Sequence, residues 1–293
     1  MARAEQVRPP AHDMASVQPM LSLLALASSA CWGTADFFAG LKSRTMPAAA
    51  VVGWSQGLAL LVIAAVVALR PGELTFHGWP AWAVAAGLAG AMGLVCFYAA
   101  LSTGTMGVVA PVASLGVVVP VLLGLAGGEQ PAPAAWAGMA VAVFGVLLAS
   151  GPELSGEVSP RPVILAVVAA AGFGFALYCL DRGARESLLL TLWGMRLTSV
   201  TVFAVAALVL RTAGGVTRAD LPPLFAIGVG DLVANTLFAF ASSRGLVSVA
   251  SVLGSIYPVV TVLLARFVLH ERLRRIQAVG VALTLVGVGV LAA

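Results

Sequence analysis

Apolar stretches of about twenty residues recur along the whole chain, and they constrain its fold more than any other feature. A bilayer core is about 30 Å thick, and about 20 apolar residues in a helix cross it. Only 10% of the residues are charged, whereas a soluble domain carries about 25%. Because the stretches lack the two-residue alternation of a barrel strand, the sequence predicts an all-α membrane protein.

The apolar stretches predict ten transmembrane helices, joined by short connections that carry most of the charge. A polar N-terminal tail over residues 1–19, expected to be disordered, precedes the first helix. The predicted helices are 20–41, 47–69, 79–101, 105–126, 134–150, 162–181, 188–210, 222–242, 246–269 and 275–292.

The second half of the chain repeats the first at nearly constant offsets. Each single identity is weak in a chain so rich in Ala, Val and Gly, but agreement of the offsets at both ends indicates an internal repeat. The matched pairs are Trp32-Gly33 with Phe173-Gly174 and Arg70 with Arg211 at an offset of 141, and Val118 with Val260, Glu129 with Glu271 and Gly138 with Gly280 at an offset of 142.

The repeat divides the chain into two five-helix units, residues 20–150 and 162–293. Because five is an odd number, the two units enter the membrane from opposite sides and form an inverted repeat. Secondary transporters use this architecture, and their substrate sites lie near the membrane midplane between the repeats. The pattern therefore predicts a transporter that works by alternating access.

Short motifs within and after the predicted helices carry a family resemblance. They are Cys31–Phe37, Gly128–Gln130, Ser255–Pro258, and His270–Leu273 with Gln277 and Gly280. On these motifs the chain resembles the ten-helix EamA-type transporters of the drug/metabolite transporter superfamily, over essentially its whole length. The resemblance implies a permease or exporter for a small metabolite or drug-like solute, and it does not identify the solute.

Three ionisable side chains fall inside predicted helices, where charge is costly and usually faces a bundle interior or a watery cavity. They are Asp36, Arg196 and Asp231, and Asn235 lies one helical turn after Asp231. We expect them to line a substrate- or ion-binding cavity. The other candidate lining residues are Trp32, Gln56, Tyr98, Ser251 and Tyr257.

Arg196 has two interpretations that the sequence leaves open. It could hold an anionic group of the solute, or it could form a structural ion pair with an aspartate of the neighbouring helix. No nucleotide-binding motif is present, so transport should be driven by a proton gradient or by solute exchange. We expect Asp231 to be the first candidate proton carrier and Asp36 the second, unless Arg196 pairs tightly with Asp231.

Two alternatives belong to other functional classes. Gly228–Asp231 matches the GxGD pattern of intramembrane aspartyl proteases, with Asp36 as the second carboxylate that such chemistry needs. The accompanying Tyr-Asp motif is absent from the sequence, so we do not expect an enzyme. A non-transporting membrane scaffold is the second alternative, which extended loops would favour, and this chain has none.

Glu129 and Glu271 lie at helix ends in matching places, and we expect them to cap helix N-termini or set turns. Pro111, Pro120 and Pro258 predict kinks in the fourth and ninth helices.

The remaining expectations concern partners and location. Cys31, Cys96 and Cys179 fall inside predicted helices without a close pair, so they read as small buried residues. No cofactor or metal is expected. The net charge of +4 is spread over the loops and gives no case for nucleic acid binding. The expected partners are a small-molecule substrate and membrane lipid, with a homodimer left open, in a multi-pass protein of the plasma (inner) membrane.

Overall fold

The computed structural model describes residues 11–70, 78–103, 106–149, 160–268 and 275–292. Within these ranges all regular structure is helical, and no strand occurs. A 3₁₀ turn over Leu115–Val117 joins α4 to α5, and a second over Arg218–Asp220 precedes α8. The helices are α1 (Ala11–Lys42), α2 (Ala48–Ala68), α3 (Trp79–Thr103), α4 (Met106–Ser114), α5 (Val118–Ala126), α6 (Pro133–Ala149), α7 (Pro160–Leu210), α8 (Leu221–Arg244), α9 (Val247–Gly254), α10 (Tyr257–Val268) and α11 (Arg275–Ala292).

Several of these segments are long and apolar enough to cross a membrane. Within the described ranges there are five: Gln18–Lys42, Ala48–Ala68, Trp79–Thr103, Pro160–Leu210 and Arg218–Arg244. Shorter apolar helices cover Val112–Ala126, Pro133–Gly145 and Val247–Thr261. The predicted all-helical membrane-type fold is therefore confirmed, and the count of ten spans stays a prediction.

α7 covers both the sixth and the seventh predicted helix. Its backbone leaves the helical region at Ser187, where φ is −155° and ψ is 109°, and the amide of Leu190 donates to Ser187 Oγ at 3.4 Å, as at a helix N-cap. In one straight helix, Phe173 and Met195 would lie about 33 Å apart. Both nevertheless contact the segment Gly87–Gly93 of α3, so α7 folds back at Ser187 into two antiparallel halves.

The N-terminal tail differs from the expectation. α1 begins at Ala11, inside the tail predicted to be disordered, so residues 11–19 are helical, and Pro19 lies within the helix. Residues 1–10 of the predicted tail lie outside the described residues. Residues 11–19 are continuous with the first apolar helix, and extending an existing helix is far easier than starting one.

Two glycine contacts relate the halves of the chain to each other. A Cβ on Gly33 of α1 would lie 2.6 Å from the Cβ of Val260 in α10, and a Cβ on Gly174 of α7 would lie 2.7 Å from the Cβ of Val119 in α5. The offsets 174 − 33 and 260 − 119 are both 141. The same close contact is thus made twice with the roles of the halves exchanged, as a two-fold relation between repeats requires.

A second exchanged pair lies between α6 and α11. A Cβ on Gly145 would come within 2.6 Å of Thr284 Oγ1, and one on Gly287 would come within 2.5 Å of the Ala142 amide nitrogen. The offsets 287 − 145 and 284 − 142 are both 142. The predicted match of Val118 with Val260 is therefore wrong by one residue, because the contacts pair Val119 with Val260 and the second half gains a residue only after Val260.

The helix interruptions of the two halves border the same central space. A proline lacks the amide that would bond the carbonyl four residues earlier, so Pro120 frees the carbonyl of Gly116 and Pro258 that of Gly254. The 3₁₀ turn containing Gly116 and the gap between α9 and α10 lie at these places. Gly116 and Gly254 both line the cavity described below.

Large apolar side chains point outward from the helices, whereas the ionisable side chains discussed below are buried. Lipid tails are as apolar as leucine, so such a surface suits a bilayer. Examples of exposed apolar residues are Leu61, Leu88, Leu122, Phe144, Leu208 and Phe267.

Glu129 joins the two halves by capping a helix. Its Oε1 accepts from the amide of Val247 at 2.7 Å, and its Oε2 accepts from the amide of Ser248 at 3.1 Å. These are the first amides of α9, which have no partners inside that helix. The predicted capping role of Glu129 is confirmed, with the difference that the capped helix belongs to the other half. Glu271 lies outside the described residues.

We expect Glu129→Ala to lower the free energy of unfolding by about 1 kcal/mol, because two amides and the positive helix end lose their carboxylate. Unfolding by SDS in mixed micelles measures the change. Glu129→Gln is the matched control, since it keeps an acceptor oxygen without the charge and should fall between the two. Equal stability of wild type and Glu129→Ala would show that the cap contributes nothing.

Candidate functional site

A cavity of about 100 Å³ lies at the centre of the helix bundle. It has room for roughly seven to ten water-sized positions. Helices of both halves form its walls, namely α1 to α4 of the first half and α7 to α10 of the second. The candidate residues found in its lining are Trp32, Asp36, Gln56, Arg196, Asp231, Asn235 and Tyr257.

The carboxylate of Asp231 is bound by side chains from four helices. Trp32 Nε1 donates to Oδ1 at 3.1 Å, and Gln56 Nε2 donates to Oδ2 at 3.0 Å. Asn235 Nδ2 donates to Oδ1 at 3.0 Å and also to the Asp231 main-chain carbonyl at 2.7 Å. Arg196 Nη2 lies 2.8 Å from Oδ2 as an ion pair. Both oxygens of Asp231 are therefore occupied, and its charge is compensated.

Arg196 is almost fully buried, at 2% exposure. Its Nη1 donates to Gln56 Oε1, so Gln56 bridges Arg196 and Asp231. Although Nη2 lies within ion-pair distance of Asp231, its N–H does not point along the line to the oxygen, and Nη2 and Nε have no hydrogen-bond acceptor among the described residues. Of the two interpretations that the sequence left open, the structure shows the ion pair between α7 and α8.

Asp36 has a different environment. It lies one helical turn after Trp32 on α1, so both side chains face the cavity. Asp36 is 8% exposed, and Tyr98 Oη donates to its Oδ1 at 3.0 Å. Within the described part of the chain, no cationic side chain forms an ion pair or a hydrogen bond with Asp36. The two buried aspartates therefore differ in charge compensation, which is one of the factors that govern how a carboxylate binds a proton.

The candidates Tyr257, Tyr98 and Ser251 differ in their position relative to the cavity. Tyr257 lines the cavity at 8% exposure, and its Oη finds no hydrogen-bond partner among the described residues. Tyr98 lies behind Asp36 and reaches the cavity only through that carboxylate. Ser251 is fully buried in α9 and is not part of the lining. The structure thus brings eight of the nine candidates together and leaves Ser251 apart.

Phe173 is a lining residue that the sequence reasoning missed. It stacks edge-on against Phe97, with ring centroids 5.5 Å apart, and Phe97 also contacts Tyr98 and Tyr257 at 5.9 and 6.3 Å. The internal repeat could have identified Phe173, because it is the counterpart of Trp32 at the offset of 141. A residue that lines the cavity in one half predicts that its counterpart does so in the other.

Comparisons with known proteins agree with this architecture. A solved crystal structure has the same fold, with a TM-score of 0.76 over 92% of this chain and 97% of that chain, at 21% sequence identity. No curated protein matches the sequence. The sequence model of the EamA-like transporter family matches residues 20–151 and again residues 160–293. The chain therefore belongs to the EamA-like transporter family, within the drug/metabolite transporter superfamily, and contains two copies of its repeat.

Proposed function

We propose that the chain is a secondary transporter of the plasma membrane that moves a small solute by alternating access and couples this movement to protons at Asp36. Family membership supports membrane transport of this type. The absence of a nucleotide-binding motif from the sequence leaves a gradient or solute exchange as the energy source. The cavity supplies the place where solute and proton meet.

The position of the cavity supports alternating access. Its walls come from both repeats, and the exchanged glycine contacts show that the repeats make equivalent contacts in opposite roles. If the two repeats exchange conformations, a site between them opens first to one side of the membrane and then to the other. The interruptions around Gly116 and Gly254 offer places where the helices can bend.

We assign proton coupling to Asp36 because its partners differ from those of Asp231. A proton carrier must lose and regain its proton in each cycle. Asp231 has four side-chain partners, and one of them is the guanidinium of Arg196, which compensates its charge. Among the described residues, Asp36 has one hydrogen bond from a tyrosine and no cationic partner. A buried carboxylate without a counter-charge is costly, so Asp36 needs a proton or another cation. We therefore propose Asp36, rather than Asp231, as the residue that couples transport to protons.

The protease alternative is not favoured. A catalytic aspartate pair shares one proton between two carboxylates. Asp231 cannot act in this way, because both of its carboxylate oxygens are occupied. Arg196 and Gln56 bind Oδ2. Trp32 and Asn235 bind Oδ1. The family is one of transporters, which fits a chain without enzymatic activity.

The scaffold alternative is not favoured either. A scaffold would have no need for a buried polar cavity, whose charges cost stability.

Transport by the purified protein in liposomes tests the proposal. We expect one solute from a panel of amino acids, nucleosides, sugars and organic cations to accumulate when a pH gradient is imposed. A protonophore should abolish the accumulation, and a pH-sensitive dye inside the vesicles should report proton movement on solute addition. Uptake indifferent to the pH gradient would refute proton coupling, and no uptake of any solute would refute transport.

A further inference from the structure

We propose that an anionic phospholipid binds in a groove between α1 and α8, with one acyl chain along the groove and its phosphate group at Lys42. The groove has a volume of about 810 Å³ and opens to the outside of the bundle, where Pro223 and Ala226 of its lining are exposed. None of its lining residues lines the central cavity. This lipid site is therefore separate from the solute site and does not depend on the proposed transport function.

The groove forms where α1 and α8 meet through small residues. A Cβ on Gly230 would lie 3.5 Å from the Cβ of Ala35, and both residues line the groove. The side chain of Phe38, which is 46% exposed, also belongs to the lining. Along α1 the lining extends from Ala30 to Lys42, a length of about 18 Å at about 1.5 Å per residue. One leaflet is about half of a hydrocarbon core about 30 Å thick, so the groove has the length of one acyl chain.

The interior of the groove suits a hydrocarbon chain better than a polar ligand. Its two hydroxyl groups are satisfied locally, because Thr34 Oγ1 donates to the Ala30 carbonyl at 2.8 Å and Thr45 Oγ1 donates to the Lys42 carbonyl at 2.9 Å. Apart from Lys42 and the thiol of Cys31, the other described lining residues are apolar. A polar solute would leave its hydrogen-bonding groups unsatisfied there, whereas an acyl chain has none.

Positive charge lies at the end of the groove where α1 ends. Lys42 Nζ donates to Asp220 Oδ1 at 2.5 Å, which joins this end of α1 to the start of α8. Arg44 follows Lys42 by two residues and Arg218 precedes Asp220 by two, and both arginines are exposed. Three cations and one carboxylate give a net charge of +2. Basic pockets between transmembrane helices are typical sites for anionic head groups, so the charge favours a phosphate at this end.

A second copy of the chain would fit the groove less well than a lipid. Cyclic dimers bring the same surface of both copies together. Two copies with the same orientation in the membrane would place two basic groove ends at one membrane surface, where like charges repel. A phosphate compensates this charge, and its acyl chain fills the groove with groups that need no hydrogen bond.

Two lipids that differ in head-group charge provide the test. The full chain is purified in a mild detergent and mixed with phosphatidylglycerol or with phosphatidylcholine that has identical acyl chains. Native mass spectrometry then counts the bound lipids. We expect one phosphatidylglycerol to bind with an affinity at least about tenfold higher than that of phosphatidylcholine, because several basic side chains face one phosphate. Added salt should reduce this preference.

Variants separate the head-group site from the groove. Arg44→Gln and Arg218→Gln each remove one charge at an exposed position and should each weaken phosphatidylglycerol binding by about fivefold. Arg244→Gln is the matched control, because it makes the same change at the opposite end of α8. Ala226→Trp fills the groove and should weaken binding of both lipids, whereas Ala65→Trp makes the same change at an exposed position of α2 and should have no effect. If Ala226→Trp does not fold, the two arginine variants still decide.

Two cysteines report where the lipid lies. Cys31 lines the groove and Cys96 of α3 does not, and both are free and partly exposed. Phosphatidylglycerol should slow the alkylation of Cys31 by N-ethylmaleimide and leave that of Cys96 unchanged. Peptide mass spectrometry measures both rates in the same sample.

Three results would overturn the proposal. Equal affinity for the two lipids would exclude recognition of the charge, and unchanged binding in both arginine variants would exclude a head group at this end of α1. Protection of Cys31 without added lipid, together with the mass of a dimer, would assign the groove to a second copy. Each of these results leaves the proposed transport function standing, because solute uptake is measured independently of lipid binding.

Discussion

Asp36→Asn should reduce uptake driven by a pH gradient to the level of empty liposomes while leaving the fold intact. The amide has the shape of the protonated acid and can still accept from Tyr98, but it cannot release a proton. Because it removes a buried, uncompensated carboxyl group, we expect the free energy of unfolding to stay within about 1 kcal/mol of the wild type. Liposome uptake and SDS unfolding measure the two effects.

Solute exchange without a gradient adds a second readout for Asp36→Asn. If the solute binds to Asp36 itself, exchange is lost together with coupling, because the same carboxylate binds both. If the solute is neutral, exchange persists and only accumulation is lost. Accumulation at the wild-type level in Asp36→Asn would remove Asp36 from the mechanism and return the coupling role to Asp231.

The helices and the inward-facing polar residues could be predicted because the membrane imposes them. About twenty consecutive apolar residues can span a bilayer core, and a helix satisfies their backbone hydrogen bonds there. A charged side chain within such a helix must avoid lipid, so Asp36, Arg196 and Asp231 were predicted to face inward, and the structure places them in one cavity. Ser251 was expected in the cavity lining and does not lie there. Burying a single hydroxyl costs much less than burying a charge, so a serine does not determine which side of its helix faces the cavity.

The pairing within the cavity could not be predicted in the same way. Arg196 has two aspartates within the bundle, and the choice between them depends on how α1, α7 and α8 are rotated against one another. That rotation is set by close contacts such as those of Gly33 and Gly174, which have no signature in hydropathy. The order of the two candidate carriers depends on this pairing, because the guanidinium compensates the charge of Asp231, whereas the partner of Asp36 among the described residues is a tyrosine.

Arg196→Met should be strongly destabilising, by about 3–5 kcal/mol, which is the usual cost of removing one partner of a buried ion pair. Asp231 is 8% exposed, and without Arg196 its charge would have no cation among the described residues. Met fills a similar length without a charge, so the loss reports the unpaired carboxylate rather than a void. Lys42→Met is the control, because Lys42 pairs with Asp220 at 2.5 Å in a more exposed place, and should cost at most about 1 kcal/mol.

The double variant Arg196→Met, Asp231→Asn separates the stabilising role of the ion pair from transport. Replacing both charges with neutral groups should restore most of the lost stability, since a buried pair contributes little net stability once its desolvation is counted. The double-mutant cycle should therefore show a strong favourable coupling between the two positions. Additive losses would contradict the pairing.

Transport by the same double variant tests the coupling residue. Because Asp36 is unchanged, the double variant should still accumulate solute under a pH gradient. A stable double variant that has lost coupling would contradict the assignment of the proton to Asp36.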